Sequence, residues 1–369
     1  MAFFGSLRES FYATFGCCLP TSLIRINGRT LKVVKLLGEG GFSLVYLVED
    51  PVTQRLFAVK KVHCADNAIG NGDGGQDAVR QAVQEAEMTR LFDHPNIIKV
   101  LDVCVAQDSG GRGKTVYIFL PYYKRGTLQD ILSDKQKEGN YFPERQILRI
   151  FRNVCLAVQQ LHCYELPEVP ARRQDNQPAS TDAYGRSSYD GGDMDDGNDE
   201  ARQAAERRVV YAHRDIKLGN VLMADDNVTP VLMDFGSMAR ARVTIRTRQQ
   251  ALQEQDRAAE QCSMAYRAPE LFDVKTGTTL DEKVDIWSLG CLLYAIAYGE
   301  SPFEAAVNEA GGSVALAVQS GKFQFPSSPS YSDEFKQLVK GLLVTDPKQR
   351  PDITQTISMV EAHMEQLGA

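Results

Sequence analysis

The apolar residues of this chain change period once, near Gly126. Before that point the runs LKVVKLL, SLVYLVED, RLFAVKKV, IIKVLDVCVA and TVYIFLPYY read as about five strands. They are rich in β-branched and aromatic residues and are parted by turn signals such as Asp50-Pro51 and DSGGRG. One helical segment breaks the series. Over 77–92, Val79, Val83, Ala86 and Leu91 recur at helical spacing until Asp93-His94-Pro95-Asn96 stops it. After Gly126 the spacing predicts helices over 127–137, 144–162, 283–298, 333–343 and 352–366, with small strands at 209–212, 220–223 and 229–233. Strands gathered first and helices second imply an α+β fold in two lobes. The expected N-lobe is an antiparallel sheet with one main helix, the C-lobe is mostly helical, and a cleft between them is the natural ligand site.

A chain of 369 residues holds one such bilobal domain with additions. The expected domain covers 23–360, with the N-lobe at 23–121 and the C-lobe at 127–360. Residues 1–22 are then an N-terminal tail and 361–369 a C-terminal tail. Residues 165–208 interrupt the C-lobe with a stretch rich in Asp, Gly, Arg, Gln and Ser. So few aliphatic residues cannot offset the entropy of ordering, so this reads as a disordered acidic insert. It is either a tolerated surface insertion or a docking or phosphorylated loop. A link lengthened tenfold adds only about 2 kcal/mol of closure cost, because that cost grows logarithmically. The insert holds eleven acidic residues against six arginines, which is five of the seven excess negative charges of the chain. A net charge of −7 argues against nucleic acid as a partner. No run of about 18 apolar residues predicts a membrane span. The eight cysteines form no C-x-x-C pair, which disfavours zinc and a disulfide framework and implies a reducing, cytoplasmic compartment.

In the tail, Phe4, Leu7, Phe11 and Phe15 fall on one helical face, and Cys17 and Cys18 follow before Pro20. The stripe is either a short helix docked on the body or a membrane-surface segment with two acylatable cysteines. Stable anchoring would need both cysteines, since one acyl chain holds only marginally. Ala2 stands where N-myristoylation needs glycine.

Between two strand runs lies Leu37-Gly38-Glu39-Gly40-Gly41-Phe42-Ser43-Leu44-Val45. Glycines there would let backbone amides approach phosphate oxygens, although a glycine-rich hairpin has many other uses. No Gly-Lys-Ser/Thr follows, so it is not a Walker loop, and a strand rather than a helix comes next, so it is not a dinucleotide turn. Lys60 closes the apolar run Phe57-Ala58-Val59-Lys60 and needs a partner, which Glu85 on the predicted helix can supply; an ordinary surface pair is the plain alternative. Then come His213-Arg214-Asp215-Ile216-Lys217-Leu218-Gly219-Asn220, Asp234-Phe235-Gly236 and Ala268-Pro269-Glu270. Two aspartates and an asparagine suit magnesium and a hydroxyl nucleophile. Any one triplet could arise by chance; the ordered set leaves little room for that.

Taken in order, these motifs resemble those of a eukaryotic protein kinase over about 30–360, apart from the insert. The resemblance implies ATP and Mg²⁺ as nucleotide and metal. It implies that Gly38, Glu39, Gly40, Gly41, Phe42 and Ser43 cover the phosphates, with Ser43 standing where the third glycine is usual. Lys60 would hold the α- and β-phosphates and pair with Glu85. Asn220 and Asp234 would hold the metal. Asp215 would accept the proton of the substrate hydroxyl, and Lys217 would neutralise the transferred group. Leu37, Val45, Ala58 and Leu222 would enclose the adenine, with Leu120 as gatekeeper. Pro121 needs no N–H at its hinge position, and Tyr123 would donate the hinge hydrogen bond. Ser263 would bond near Asp215 and Lys217, Glu270 would pair with Arg350, and Asp285 would hold the catalytic-loop backbone.

The stretches LGEGGFSLVYLVED, LFDHPNIIK, KRGTL, VLMDFGSM and SMAYRAPELF are similar to the Numb-associated kinase family, in its myristoylated-and-palmitoylated serine/threonine kinase branch. That likeness implies protein substrates with Ser/Thr acceptors. It also implies a membrane surface met through the acylated tail, on endomembranes of Golgi or vacuole type. It implies a helix within the segment 237–267, where RQQALQEQDRAAEQ over 248–261 is made of strong helix formers behind a Thr247/Gln250 capping box. An ATP-binding pseudokinase scaffold is the alternative, but it would lack Lys60, Asp215 or Asp234, and all three are present. A lipid or small-molecule phosphotransferase is a further one, opposed by Ser263 and Ala268-Pro269-Glu270.

Overall fold

The computed structural model describes residues 23–26, 28–40, 43–65, 74–107, 113–166 and 209–368. The N-terminal tail with Cys17 and Cys18, the glycine-loop residues Gly41 and Phe42, and nearly all of the acidic insert lie outside them.

The N-lobe is one antiparallel sheet of six strands: β1 (Leu23–Ile26), β2 (Arg29–Glu39), β3 (Ser43–Glu49), β4 (Leu56–Ala65), β5 (Asp102–Gln107) and β6 (Gly113–Pro121), in the order β1-β2-β3-β4-β6-β5. Register decides which residues share a face. Val45 lies opposite Lys60, and Ala58 lies opposite Leu120. With a side-chain period of two, Val45, Ala58, Lys60 and Leu120 all project from one side. Val48 and Val59 project from the other, into a small cluster with Ile26 and Leu31. Helix α1 (Gly74–Arg90) lays Ala82 and Ala86 against Cys64, Val116 and Ile118 on the Lys60 side.

Several expected boundaries shift. The sheet has six strands rather than about five, because LIRI at 23–26 pairs with the start of β2. The fifth strand begins at Asp102, not at Ile97: Ile97 and Ile98 bond instead to the C-lobe at Leu232. Helix α1 starts at Gly74 and ends at Arg90. Leu91, placed on its apolar stripe by spacing, is exposed, while Phe92 takes the buried position.

The C-lobe contains α2 (Leu128–Lys137), α3 (Glu144–His162), α4 (Arg248–Gln261), α5 (Lys283–Tyr298), α6 (Pro302–Ala310), α7 (Val314–Ser320), α8 (Asp333–Leu342) and α9 (Ile353–Gln366). Two-stranded ribbons join β7 (Tyr211–Ala212) to β10 (Ala239–Arg240), β8 (Val221–Met223) to β9 (Pro230–Leu232), and β11 (Val243–Thr244) to β12 (Thr279–Leu280). The axis of the lobe is α5. Every residue from Val284 to Tyr298 is buried, as its apolar character on all sides requires. Gly290 lets α8 approach closely, since a Cβ there would meet Leu343 Cδ2 at 2.8 Å and Leu342 Cβ at 2.9 Å. Trp287 stacks on Phe303 with 5.3 Å between ring centres, and the Arg350 guanidinium lies 5.1 Å from the Trp287 ring centre.

Helices α6 and α7 were not anticipated. A capping box starts α6, with Ser301 accepting from the Glu304 N–H and Glu304 reaching back to the Ser301 N–H. At the C-terminal end α9 runs to Gln366, as its spacing predicts, with His363 buried against Glu144 at 2.7 Å and Glu361 paired with Arg152. The capping box of Asp352 and Gln355 starts this helix, and its contacts with α3 hold it to its end.

Candidate active site

The cleft between the lobes brings the separated motifs together. From β4, the Lys60 ammonium reaches Glu85 Oε1 on α1 at 2.6 Å and Asp234 Oδ1 at 3.6 Å. Burial alone would lower the lysine's pKa. The two carboxylates outweigh it and hold Lys60 above its ordinary value, so it stays cationic. Glu85 is positioned by the helix that packs beneath the sheet. Asp234 has a left-handed backbone, φ 65°, which turns the chain sharply before Phe235. Phe235 is buried, stacked beside Phe92 from the end of α1 and edge-on to His213. The lobes are thereby coupled by packing as well as by charge. The linking segment adds a third tie: Asn96 Nδ2 donates to Pro230 O at 2.7 Å, and Leu232 N donates to Asn96 O at 2.8 Å.

Asp215 sits on the C-lobe floor, buried. Ser263 N–H donates to its Oδ1 at 2.9 Å. Lys217 Nζ and Asn220 Nδ2 donate to its Oδ2 at 2.8 and 2.9 Å. Burial would raise the pKa of this carboxyl, but Lys217 and Ser263 overcome that and hold it below the ordinary 3.8. A carboxylate offers about four acceptor positions. Three donors leave one for an incoming hydroxyl. Lys217 also donates to Ser263 Oγ at 2.7 Å, so the ammonium, the carboxylate and the serine form one closed set.

The backbone of this loop is suspended from α5. Asp285, fully buried, accepts from His213 N at 2.7 Å and Arg214 N at 2.8 Å, and contacts His162 Nε2 at 3.0 Å. Burial pushes its pKa up; His162 and the backbone donors push harder, and the net shift is downward. The same bonds let Arg214 hold φ 69°, a left-handed conformation costly for a side chain of that size. Sequence reasoning assigned Asp285 but not His162, whose only signal was its place at the end of an apolar helix.

Two further pairs lock the segment beyond Phe235. Glu270 and Arg350 form a two-pronged pair, with both N–O distances 2.7 Å. Arg214 Nη1 bonds to Glu254 Oε2 of α4 at 2.9 Å, and both side chains are largely buried. The capping box of Thr247 and Gln250 starts α4. The Arg214–Glu254 contact was not foreseen: Glu254 is one of several polar residues on a helix whose sequence carries no marked apolar face.

Of the predicted pocket residues, Val45, Ala58 and Leu120 share the cleft-facing side of the sheet. Leu222 lies on β8 below, bridged to Thr127. Gly38 lies opposite Val45, and Leu37, beside it, is exposed. Gly40 and Ser43 exchange backbone hydrogen bonds of 2.8 and 3.4 Å, closing the β2–β3 hairpin, and Glu39 ends β2. Pro121 ends β6 opposite Phe57, beyond the last residue of that strand paired with β5. Tyr123 O accepts from Gly126 N at 3.2 Å in the turn between the lobes.

Comparison with known proteins agrees with this geometry. Residues 31–166 and 207–360 match the protein kinase domain. The chain belongs to the protein kinase family. The interruption in that match coincides with the acidic insert. The kinase is similar along nearly its whole length to serine/threonine-protein kinase 16 of Homo sapiens, at 34% identity over 346 residues and 94% of each chain. It is equally similar to serine/threonine-protein kinase ppk13 of Schizosaccharomyces pombe, at 34% over 345 residues and 93% of each. Serine/threonine-protein kinase ENV7 of Saccharomyces cerevisiae is 34% identical over 376 residues, covering 96% of this kinase and 98% of the yeast protein.

Among the described residues no group of three or more His, Cys, Asp or Glu is placed to hold a metal unaided. Magnesium keeps waters and takes one or two protein ligands together with phosphate oxygens. Asp234 is half exposed toward the cleft, and Asn220 commits its amide nitrogen to Asp215, leaving its carbonyl oxygen as an acceptor. The donor set fits.

Proposed function

We propose that this protein is a serine/threonine kinase that transfers the γ-phosphoryl of ATP to hydroxyls of protein substrates. The observation that carries this is Asp215: an anionic carboxylate, fixed by three donors, with one acceptor position open beside Lys217 and Ser263. A carboxylate with a depressed pKa is a weak base. It orients the alcohol and accepts its proton late, as the bond to phosphorus forms. Lys217 faces the same point and offsets the charge of the group in transfer. Across the cleft, Lys60 is held cationic for the α- and β-phosphates. Leu37, Val45, Ala58, Leu120 and Leu222 offer the adenine apolar surface, with Pro121 and Tyr123 at its edge. Gly38, Glu39, Gly40, Gly41, Phe42 and Ser43 form the loop over the phosphates. Asn220 and Asp234 would hold Mg²⁺, which when bound neutralises phosphate charge. Positioning and charge neutralisation supply most of the acceleration in this chemistry.

The purified full chain should phosphorylate itself or a generic protein in ATP and Mg²⁺, and Asp234→Asn should abolish transfer while the melting temperature stays within a few degrees. Transfer retained by Asp234→Asn would defeat the metal assignment.

We further propose that the kinase is held at the cytoplasmic surface of endomembranes by acylation of Cys17 and Cys18, beside the aromatic stripe of Phe4, Phe11 and Phe15. Replacing both cysteines with serine should move the protein from the membrane pellet to the soluble fraction in cell lysates. A double variant that still pellets would end that reading.

A further inference from the structure

A cavity of about 560 Å³ is lined by Lys217 and Ser263, two residues that also bond to Asp215. Met264, Glu300, Glu304 and Val314 also line it. Its charged lining is unbalanced. The Lys217 ammonium is already committed to Asp215 and Ser263. The two carboxylates are not matched to any cation. Glu304 spends one oxygen on the Ser301 N–H, and Glu300 accepts from Asn308 Nδ2 at 2.7 Å. Among the described residues neither forms an ion pair, whereas the other acidic residues around the active site, Glu85, Asp215, Asp234, Glu254 and Glu270, each do.

The segment that carries these carboxylates is held at both ends. Gly299 ends α5 with φ 90°, and Glu300 follows it in the short turn before α6. Glu304 is locked in the first turn of α6 by the capping box, where the helix dipole favours a negative charge. Phe303, between them, is buried on Trp287. Two acidic side chains thus line a partly apolar hollow that also includes Lys217 and Ser263.

We propose that this hollow is a subsite for a basic side chain of the protein substrate, so that the kinase selects acceptor residues with an arginine or lysine close by. This rests on the reading of the protein as a kinase of protein hydroxyls. A compact space of that volume is roughly 10 Å across, and an extended peptide advances about 3.3 Å per residue, so the basic residue lies within about three positions of the acceptor. Met264 and Val314 receive the methylene stem, and Glu300 with Glu304 receives the charge, the usual division of labour for a long cationic side chain.

The test is a peptide library with one central Ser or Thr and a single residue fixed in turn at each of the three positions on either side, assayed with the full chain in ATP and Mg²⁺. At one of those positions, pools fixed as Arg or Lys should react at least about tenfold faster than pools fixed as Glu, chiefly through KM. Glu300→Gln should shrink that ratio, and Glu300→Lys should invert it in favour of Glu. Equal rates for Arg, neutral and Glu pools in the wild type would overturn the subsite. So would an undiminished Arg preference in Glu300→Lys that melts like the wild type. Absence of transfer to every pool and to the protein itself would instead strike at the kinase reading.

Discussion

On the C-lobe side of the cleft, the reacting carboxylate belongs to a loop suspended from a helix that is buried on every face. Asp285 at the start of α5 takes the two backbone N–H groups before Asp215, and His162 closes the arrangement from α3. On the N-lobe side, Lys60 makes its short contact with Glu85, carried by a helix that rests on a small cluster of alanines and valines, and a longer one with Asp234 across the cleft. The first half is fixed by the fold itself. The second half is fixed only while α1 keeps its place against the sheet and against Phe235. An active site can therefore be rigid where the proton is accepted and adjustable where the nucleotide is gripped, because burial and backbone bonding are distributed unequally between the lobes.

This contrast can be broken from either side. The largest effect is expected from Asp285→Asn. An amide accepts at one oxygen only, so at least one buried N–H of the loop loses its partner, and His162 loses its charge partner. Stability should fall by about 3 kcal/mol and activity should disappear, read by denaturant melts and a phosphorylation assay. Glu85→Gln should differ in kind. Transfer should drop about a hundredfold through misplacement of Lys60, while stability changes by only about 1 kcal/mol. Equal destabilisation by the two variants would mean that the lobes are held alike. Glu254→Ala sharpens the comparison within the C-lobe. Removing the partner of Arg214 should lower kcat about tenfold, and hydrogen exchange over 248–261 should rise while that over α5 is unchanged.

The same inequality explains what could be read from residue order alone. Lys60, Glu85, Asp215, Asn220 and Asp234 sit at spacings that chemistry imposes, and the period change near Gly126 marks where one lobe gives way to the other. Helix α3 was recoverable to the residue because its apolar stripe faces a core on one side only. Helix α6 was not. It is short, lies between Pro302 and two glycines, and declares itself only by Ser301 and Glu304, a signal that is clear in retrospect. Strand β1 was missed because four residues cannot show a period. The last helix was legible to Gln366, but Glu144 and Arg152 as the partners of His363 and Glu361 were not, since they lie some two hundred positions away. The pairing of Arg214 with Glu254 spans forty positions and rests on a polar helix, so no local pattern could reveal it.

That pairing sets a condition on how the molecule can be governed. Both partners are encoded in the chain, so the contact is complete once synthesis and folding are over. It awaits no modifying enzyme, and a phosphatase finds nothing there to remove. A molecule braced in this way is poorly suited to being toggled at its own active site. Control falls more naturally on abundance, on where in the cell it is stationed, and on which proteins are brought within its reach.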